Sequence, residues 1–104
     1  MTLDMLLAER EIYRALVRFA RAMDHRDWNA LDAIVLPGAT ADLGLGPVQG
    51  REAIVGVMRS FLDDCGPTQH LLGNVMIEGA GDSARSSCYV SDMHKGTGAR
   101  AALT

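Results

Sequence analysis

The sequence predicts an α+β fold, with three N-terminal helices packed on a curved antiparallel sheet. Three observations predict it. Apolar residues recur at helical spacing over residues 4–23 and again over 51–64. After Gly66-Pro67 the period becomes that of strands. Two strand-like runs, 68–78 and 83–94, are then joined through Gly79-Ala80-Gly81-Asp82, which predicts an antiparallel hairpin. Helices lying across one face of a curled sheet form a cone with an open mouth. Such a cavity suits a small apolar ligand.

The first helix is amphipathic. On a helical wheel Met5, Ile12, Leu16, Phe19, Ala20 and Met23 gather on one side, with Tyr13 and Val17 at its margin. Arg10, Arg14, Arg18 and Arg21 fall on the other side as a solvated face. Asp24 projects beside Tyr13, Val17 and Ala20, on the flank of the apolar arc, as an acid that looks inward. Glu9 falls within the same arc, so the wheel alone does not single out Asp24.

Asp27 is placed to cap a short second helix over 28–35, with Trp28 as a packing residue and Pro37-Gly38 as its stop. Residues 39–48 read as a poor strand or extended loop, because Gly44, Gly46 and Pro47 interrupt them. The third helix, 51–64, follows Gly50 and turns Ile54, Val57, Met58, Phe61 and Leu62 inward; Gly66-Pro67 ends it. Beyond the hairpin, Gly96 to Gly98 make another turn and residues 99–104 open a third strand. So thin a sheet leaves an open edge, to be completed by a second copy or by strands missing or truncated here.

At 104 residues the chain is expected to form one domain over 1–104, and 48% hydrophobic residues suffice for a core. A net charge of -3 with scattered arginines offers no basic face for nucleic acid. No apolar run approaches a membrane span, and Met1-Thr2-Leu3-Asp4 does not start a leader, so no membrane partner and a cytoplasmic location are expected. Cys65 and Cys88 lack Cys-x-x-Cys spacing and no histidine cluster accompanies them; reduced thiols are expected rather than a disulfide, and no metal site. Gly44-Leu45-Gly46-Pro47 lacks the spacing of a phosphate loop.

His70 is the leading acid/base candidate, because an imidazole moves protons near neutral pH. A carboxylate such as Asp24 fixes its tautomer and stabilises the imidazolium. The alternative is a strand histidine hydrogen-bonded at the sheet margin. His94 stands on the next strand. An even-numbered turn puts it on the opposite face from His70, whereas an odd-numbered turn or a bulge puts the two together. In the shared-face case Leu72, Asn74 and Met76 line up with Cys88, Val90 and Asp92. His25 is expected to be exposed.

Asp24-His25-Arg26-Asp27-Trp28, the Gly50-Arg51-Glu52-Ala53-Ile54 start of the third helix, and Thr68-Gln69-His70-Leu71-Leu72-Gly73 carry a resemblance. Over residues 8–95 the chain resembles the SnoaL-like branch of the nuclear transport factor 2-like superfamily. Within it, these motifs look most like the scytalone dehydratase and bile-acid dehydratase group. The resemblance implies a cone-shaped α+β fold whose last strands this chain lacks. It also implies catalytic roles for Asp24 and His70, with His94 as the second pocket histidine, and no metal or organic cofactor. The implied reaction is elimination of water from an apolar polycyclic or polyketide-like substrate. That ligand would meet Tyr13, Phe19, Met23, Met58, Phe61, Leu72, Asn74 and Val90. A homodimer is expected.

The pattern departs from that group at the tyrosines that hold the leaving group, where Met23 and Phe19 stand. Two other readings therefore stay open. One is an isomerase or polyketide cyclase in which Asp24 moves the proton. The other is a non-catalytic ligand-binding or dimerisation domain.

Overall fold

Thr2 begins the first helix by accepting the Met5 N–H on Oγ1 at 3.2 Å, while Asp4 complements the helix dipole in the first turn. The computed structural model describes residues 2–96. In it α1 spans Leu3–His25 and ends in a left-handed residue, Arg26, at φ 56°. The N–H of Asp27 bonds to the Ala22 carbonyl at 2.9 Å and that of Arg26 to Met23 at 3.2 Å. This paired closure commonly uses glycine at the left-handed position, because a side chain there is strained. Arginine holds it here, and the reason lies in the site.

A 3-10 helix, Trp28–Ala33, replaces the longer second helix predicted over 28–35. Asp27 precedes it but makes no side-chain capping bond, so its expected role is corrected. The apolar payload of this turn is Leu31, which is fully buried. Around it Ala22, Ile54 and Met58 form the core, with Phe19, Met23 and Trp28 packed against them.

The interrupted stretch after Pro37 forms a small hairpin. β1, Thr40–Asp42, pairs antiparallel with β2, Pro47–Gln49. Gly44 and Gly46 take positive φ between them, and Asp42 Oδ1 accepts the Gly44 N–H at 2.9 Å. Pro47 opens its strand, where a missing N–H costs little. α2, Arg51–Leu62, buries Ile54, Met58 and Leu62. Phe61, expected on that inner stripe, is 44% exposed.

β3, Cys65–Ala80, and β4, Ser83–Gly96, make a long antiparallel ribbon. Gly66-Pro67 does not separate helix from strand as expected; it lies within β3, where the register slips between Cys65 and Thr68. The turn is the two-residue Gly81-Asp82, with Ala80 opposite Ser83 and Gly81 at φ 62°. α1 packs on β3 and on the 3-10 helix, and α2 on β1 and β2.

The architecture is thus α+β with N-terminal helices and antiparallel strands. Among the described residues, however, the strands form two separate two-stranded sheets and do not close into a cone. The third strand expected over 99–104 lies outside the described residues. Cys65 and Cys88 are not in a disulfide; Cys65 Sγ donates to the Phe61 carbonyl at 3.2 Å. No helix among the described residues is long and apolar enough to cross a membrane.

Candidate active site

The last turn of α1 delivers Asp24 to the start of β3, where Thr68 and His70 alternate onto one side of the strand. Three bonds converge on the carboxylate. Thr68 Oγ1 donates to Asp24 Oδ1 at 3.0 Å, and the His70 backbone N–H donates to Oδ2 at 3.1 Å. His70 Nδ1 lies 2.6 Å from Oδ1. A carboxylate only accepts, so Nδ1 carries the proton and Nε2 is the nitrogen left for chemistry. The side chains are 9% exposed for His70 and 19% for Asp24.

Burial pushes the Asp24 carboxyl up, but the bonds from the His70 ring, the His70 N–H and Thr68 outweigh it. The net effect holds its pKa below the usual carboxylate value of 3.8. Asp24 is therefore an anion at neutral pH.

Arg26 supports this arrangement, which accounts for its strained backbone. Its Nη1 donates to Thr68 Oγ1 at 2.9 Å and to the Met23 carbonyl at 2.7 Å. Nη2 donates to Gly66 O at 2.9 Å and Nε to Leu62 O at 3.1 Å. One guanidinium thus ties the ends of α1 and α2 to the root of β3. Because Thr68 Oγ1 accepts from Arg26, its single proton goes to Asp24, and the chain Arg26, Thr68, Asp24, His70 has one direction.

His94 reaches the same face through a bulge. The two-residue turn sets partners with Met76 opposite Ser87, which by itself leaves the two histidines on opposite faces. Between Gly73 and Met76 the register shifts by one, and Asn74 takes φ 51°. Thereafter His70 faces Asp92, and Thr68 faces His94. The imidazole rings lie 5.6 Å apart, tilted by 54°. His94 Nε2 stands 3.0 Å from Asp92 Oδ2. His70, Asp92 and His94 are also the described residues grouped closely enough to hold a metal ion.

An open cleft of about 480 Å³ runs between α1 and β3 beside the pair. Tyr13, Val17, Ala20 and Asp24 line it from the helix, and Thr68, His70 and Leu72 from the strand. His25 is exposed, as expected, and also borders it. A larger hollow of about 790 Å³ sits at the other end of α1, against the hairpin turn. Its lining carries several carboxylates and no histidine.

Of the ligand contacts expected from the sequence, Tyr13 and Leu72 border the cleft. Phe19 and Met23 pack against the core and Met58 lies within it, because the 3-10 helix covers that side of α1. Phe61 faces outward from α2, and Asn74 is exposed in the bulge. Val90 stands opposite Leu72, is half exposed, and does not border the cleft. Sequence reasoning missed Arg26 and Thr68. Thr68 carried a signal, since it lies two residues before His70 on one strand face; Arg26 carried none. Asp92 falls on the shared face in only one of the two registers that the sequence leaves open, and has no role in that reading.

The sequence model of the SnoaL-like domain matches residues 4–104. No curated protein matches the chain. Among solved structures, the fold is similar to a candidate scytalone dehydratase from Novosphingobium aromaticivorans, with TM-score 0.82 and 20% identity over 94% of this chain and 67% of that one. It is similar also to a candidate aromatic ring hydroxylase from the same organism, with TM-score 0.72 and 26% identity over 82% and 63%. A candidate dehydratase of the nuclear transport factor 2-like family from Streptomyces avermitilis gives 0.75 and 17% over 85% and 68%. The chain thus spans about two thirds of the length of these proteins. The sequence match over residues 4–104 places the chain in the SnoaL-like family, and its fold agrees with that of the nuclear transport factor 2-like structures it resembles.

Proposed function

We propose that the cleft is a dehydratase-type lyase site for an apolar polycyclic or polyketide-like alcohol. The observation that carries this reading is the 2.6 Å contact between His70 Nδ1 and Asp24 Oδ1. With Nδ1 committed to the carboxylate, Nε2 takes a proton from the carbon beside a substrate carbonyl. The carbon–oxygen bond at the next carbon then breaks, its electron pair leaving with oxygen. That oxygen receives the proton from the imidazolium and departs as water, and the enzyme returns to its starting state. Asp24 stabilises the imidazolium in between, and His94 assists at the leaving oxygen. No cofactor is called on.

The similarity to two candidate dehydratases supports the reaction class. Proton transfer by Asp24 itself, as in an isomerase or cyclase, is disfavoured because both its oxygens are already engaged. The non-catalytic reading draws on Met23 and Phe19 standing where the dehydratase group has tyrosines. A panel of β-hydroxy ketones on polycyclic frames separates these readings. His70→Ala with far-UV circular dichroism unchanged should abolish water loss. Turnover that survives His70→Ala but not Asp24→Asn would transfer the proton to Asp24.

Within the same proposal the chain is a cytoplasmic homodimer. Among the described residues β4 pairs with β3 alone, and it exposes Tyr89 and Met93. Sedimentation as a monomer at every concentration would refute the dimer.

A further inference from the structure

His70, Asp92 and His94 occupy adjoining positions on one ribbon face, Asp92 directly across from His70 and His94 two residues further along β4. One donor atom from each lies within 4.8 Å of the other two. The 3.0 Å between His94 Nε2 and Asp92 Oδ2 is a few tenths of an ångström short of the roughly 3.4 Å between neighbouring ligands on a tetrahedral ion, whose bonds are about 2.1 Å. Both of these side chains are substantially exposed, at 39% and 52%. Rotation about their free torsions can therefore close the longer separations.

We propose that these three residues bind a divalent first-row transition ion, with zinc best matched to two imidazoles and one carboxylate. His70 is prepared for it. Its Nδ1 is bonded to Asp24, leaving Nε2 as the ligand atom, and a carboxylate behind a ligating imidazole is the usual companion of such a site. The sequence spacing concealed the set, because the third ligand comes from across the strand ladder and depends on the bulge at Asn74.

Three protein ligands leave coordination positions open toward solvent. The ion would also occupy the lone pair that acid–base chemistry needs, so metal binding and proton transfer at His70 exclude one another. The metal site stands on ligand geometry and does not rest on the proposed dehydration.

Titration of the full chain with Zn²⁺ at neutral pH, followed calorimetrically, tests the site without any substrate. One ion per chain is expected, and Co²⁺ should develop visible d–d absorption. His94→Ala and Asp92→Ala, both at exposed positions, should abolish this stoichiometric binding with far-UV circular dichroism unchanged. Asp24→Asn should weaken it about 10- to 100-fold by releasing His70. Absence of zinc binding by the wild-type chain overturns the proposal. So does binding that His94→Ala and Asp92→Ala leave unchanged, which would move the ion elsewhere, for example to a cysteine. Either failure leaves the dehydration reading standing, and failure of turnover leaves the metal site standing.

Discussion

Asp24–His70 and Asp92–His94 are both carboxylate–histidine pairs, yet the first joins residues 46 apart and the second residues two apart on one strand. The first is enclosed between α1 and β3, and its acid receives two further donors. The second is exposed, at a separation of 3.0 Å rather than 2.6 Å. Pairing two groups is thus not sufficient to make a preorganised site. A local pair in water keeps its torsional freedom and its competition with solvent. A pair held between two elements has that freedom removed by the packing, and its polar atoms must be satisfied internally.

The contrast predicts unequal effects. The largest is on turnover of a dehydration substrate: His70→Ala should lower kcat by about 10²- to 10⁴-fold, the usual worth of a general acid/base. His94→Ala should cost roughly tenfold or less in the same assay. Equal losses would erase the distinction between the two histidines.

Next in size is Thr68→Val. It removes a donor to Asp24 and the acceptor of Arg26 Nη1 while preserving volume. Urea unfolding should show a loss of about 1–3 kcal/mol, whereas Asp92→Ala should stay within about 0.5 kcal/mol. A Thr68→Val protein as stable as wild type would mean that the relay contributes nothing to folding.

The pH dependence of stability sharpens the same comparison. The folded-state pKa of Asp24 lies below 3.8, so its stabilisation is fully present above that unfolded value. It is lost as the pH falls through the folded value. The urea midpoint of wild type should therefore drop more steeply on acidification below about pH 4 than that of Asp24→Asn. Parallel acid limbs would count against the depressed carboxyl.

The smallest effect concerns the strained residue that closes α1. Arg26→Ala and Arg26→Gly lose the same hydrogen bonds, but glycine accepts φ 56° without a Cβ penalty. The glycine variant should be the more stable by about 1 kcal/mol, read from paired urea curves. If alanine equals glycine, the strain at this turn is negligible.

Much of this architecture was legible in the chain. The 3.6-residue period located α1 and α2, and the change of period with the Gly79-Ala80-Gly81-Asp82 breaker located the ribbon, although only Gly81-Asp82 form its turn. These signals are local: burial of one face leaves its period in the sequence. Asp24 could be read as inward-facing for the same reason, and His70 as a strand residue beside a cleft. Gly66-Pro67 misled because a breaker in isolation was absorbed by a strand irregularity. Met58 misled because an apolar helix face does not say whether a cavity or another element covers it.

By itself the sequence determined the order and type of the principal elements, the amphipathic placement of Asp24 and the antiparallel pairing of β3 with β4. The tertiary structure alone decided which face His94 shares, since one extra residue at Asn74 reverses the parity of everything beyond it. It alone decided the work of Arg26, whose backbone turn and guanidinium bonds join segments 36 to 42 residues apart. Periodicity reports which way a side chain faces within its own element. Contact between elements depends on register and on the direction in which each one ends, and neither leaves a local trace.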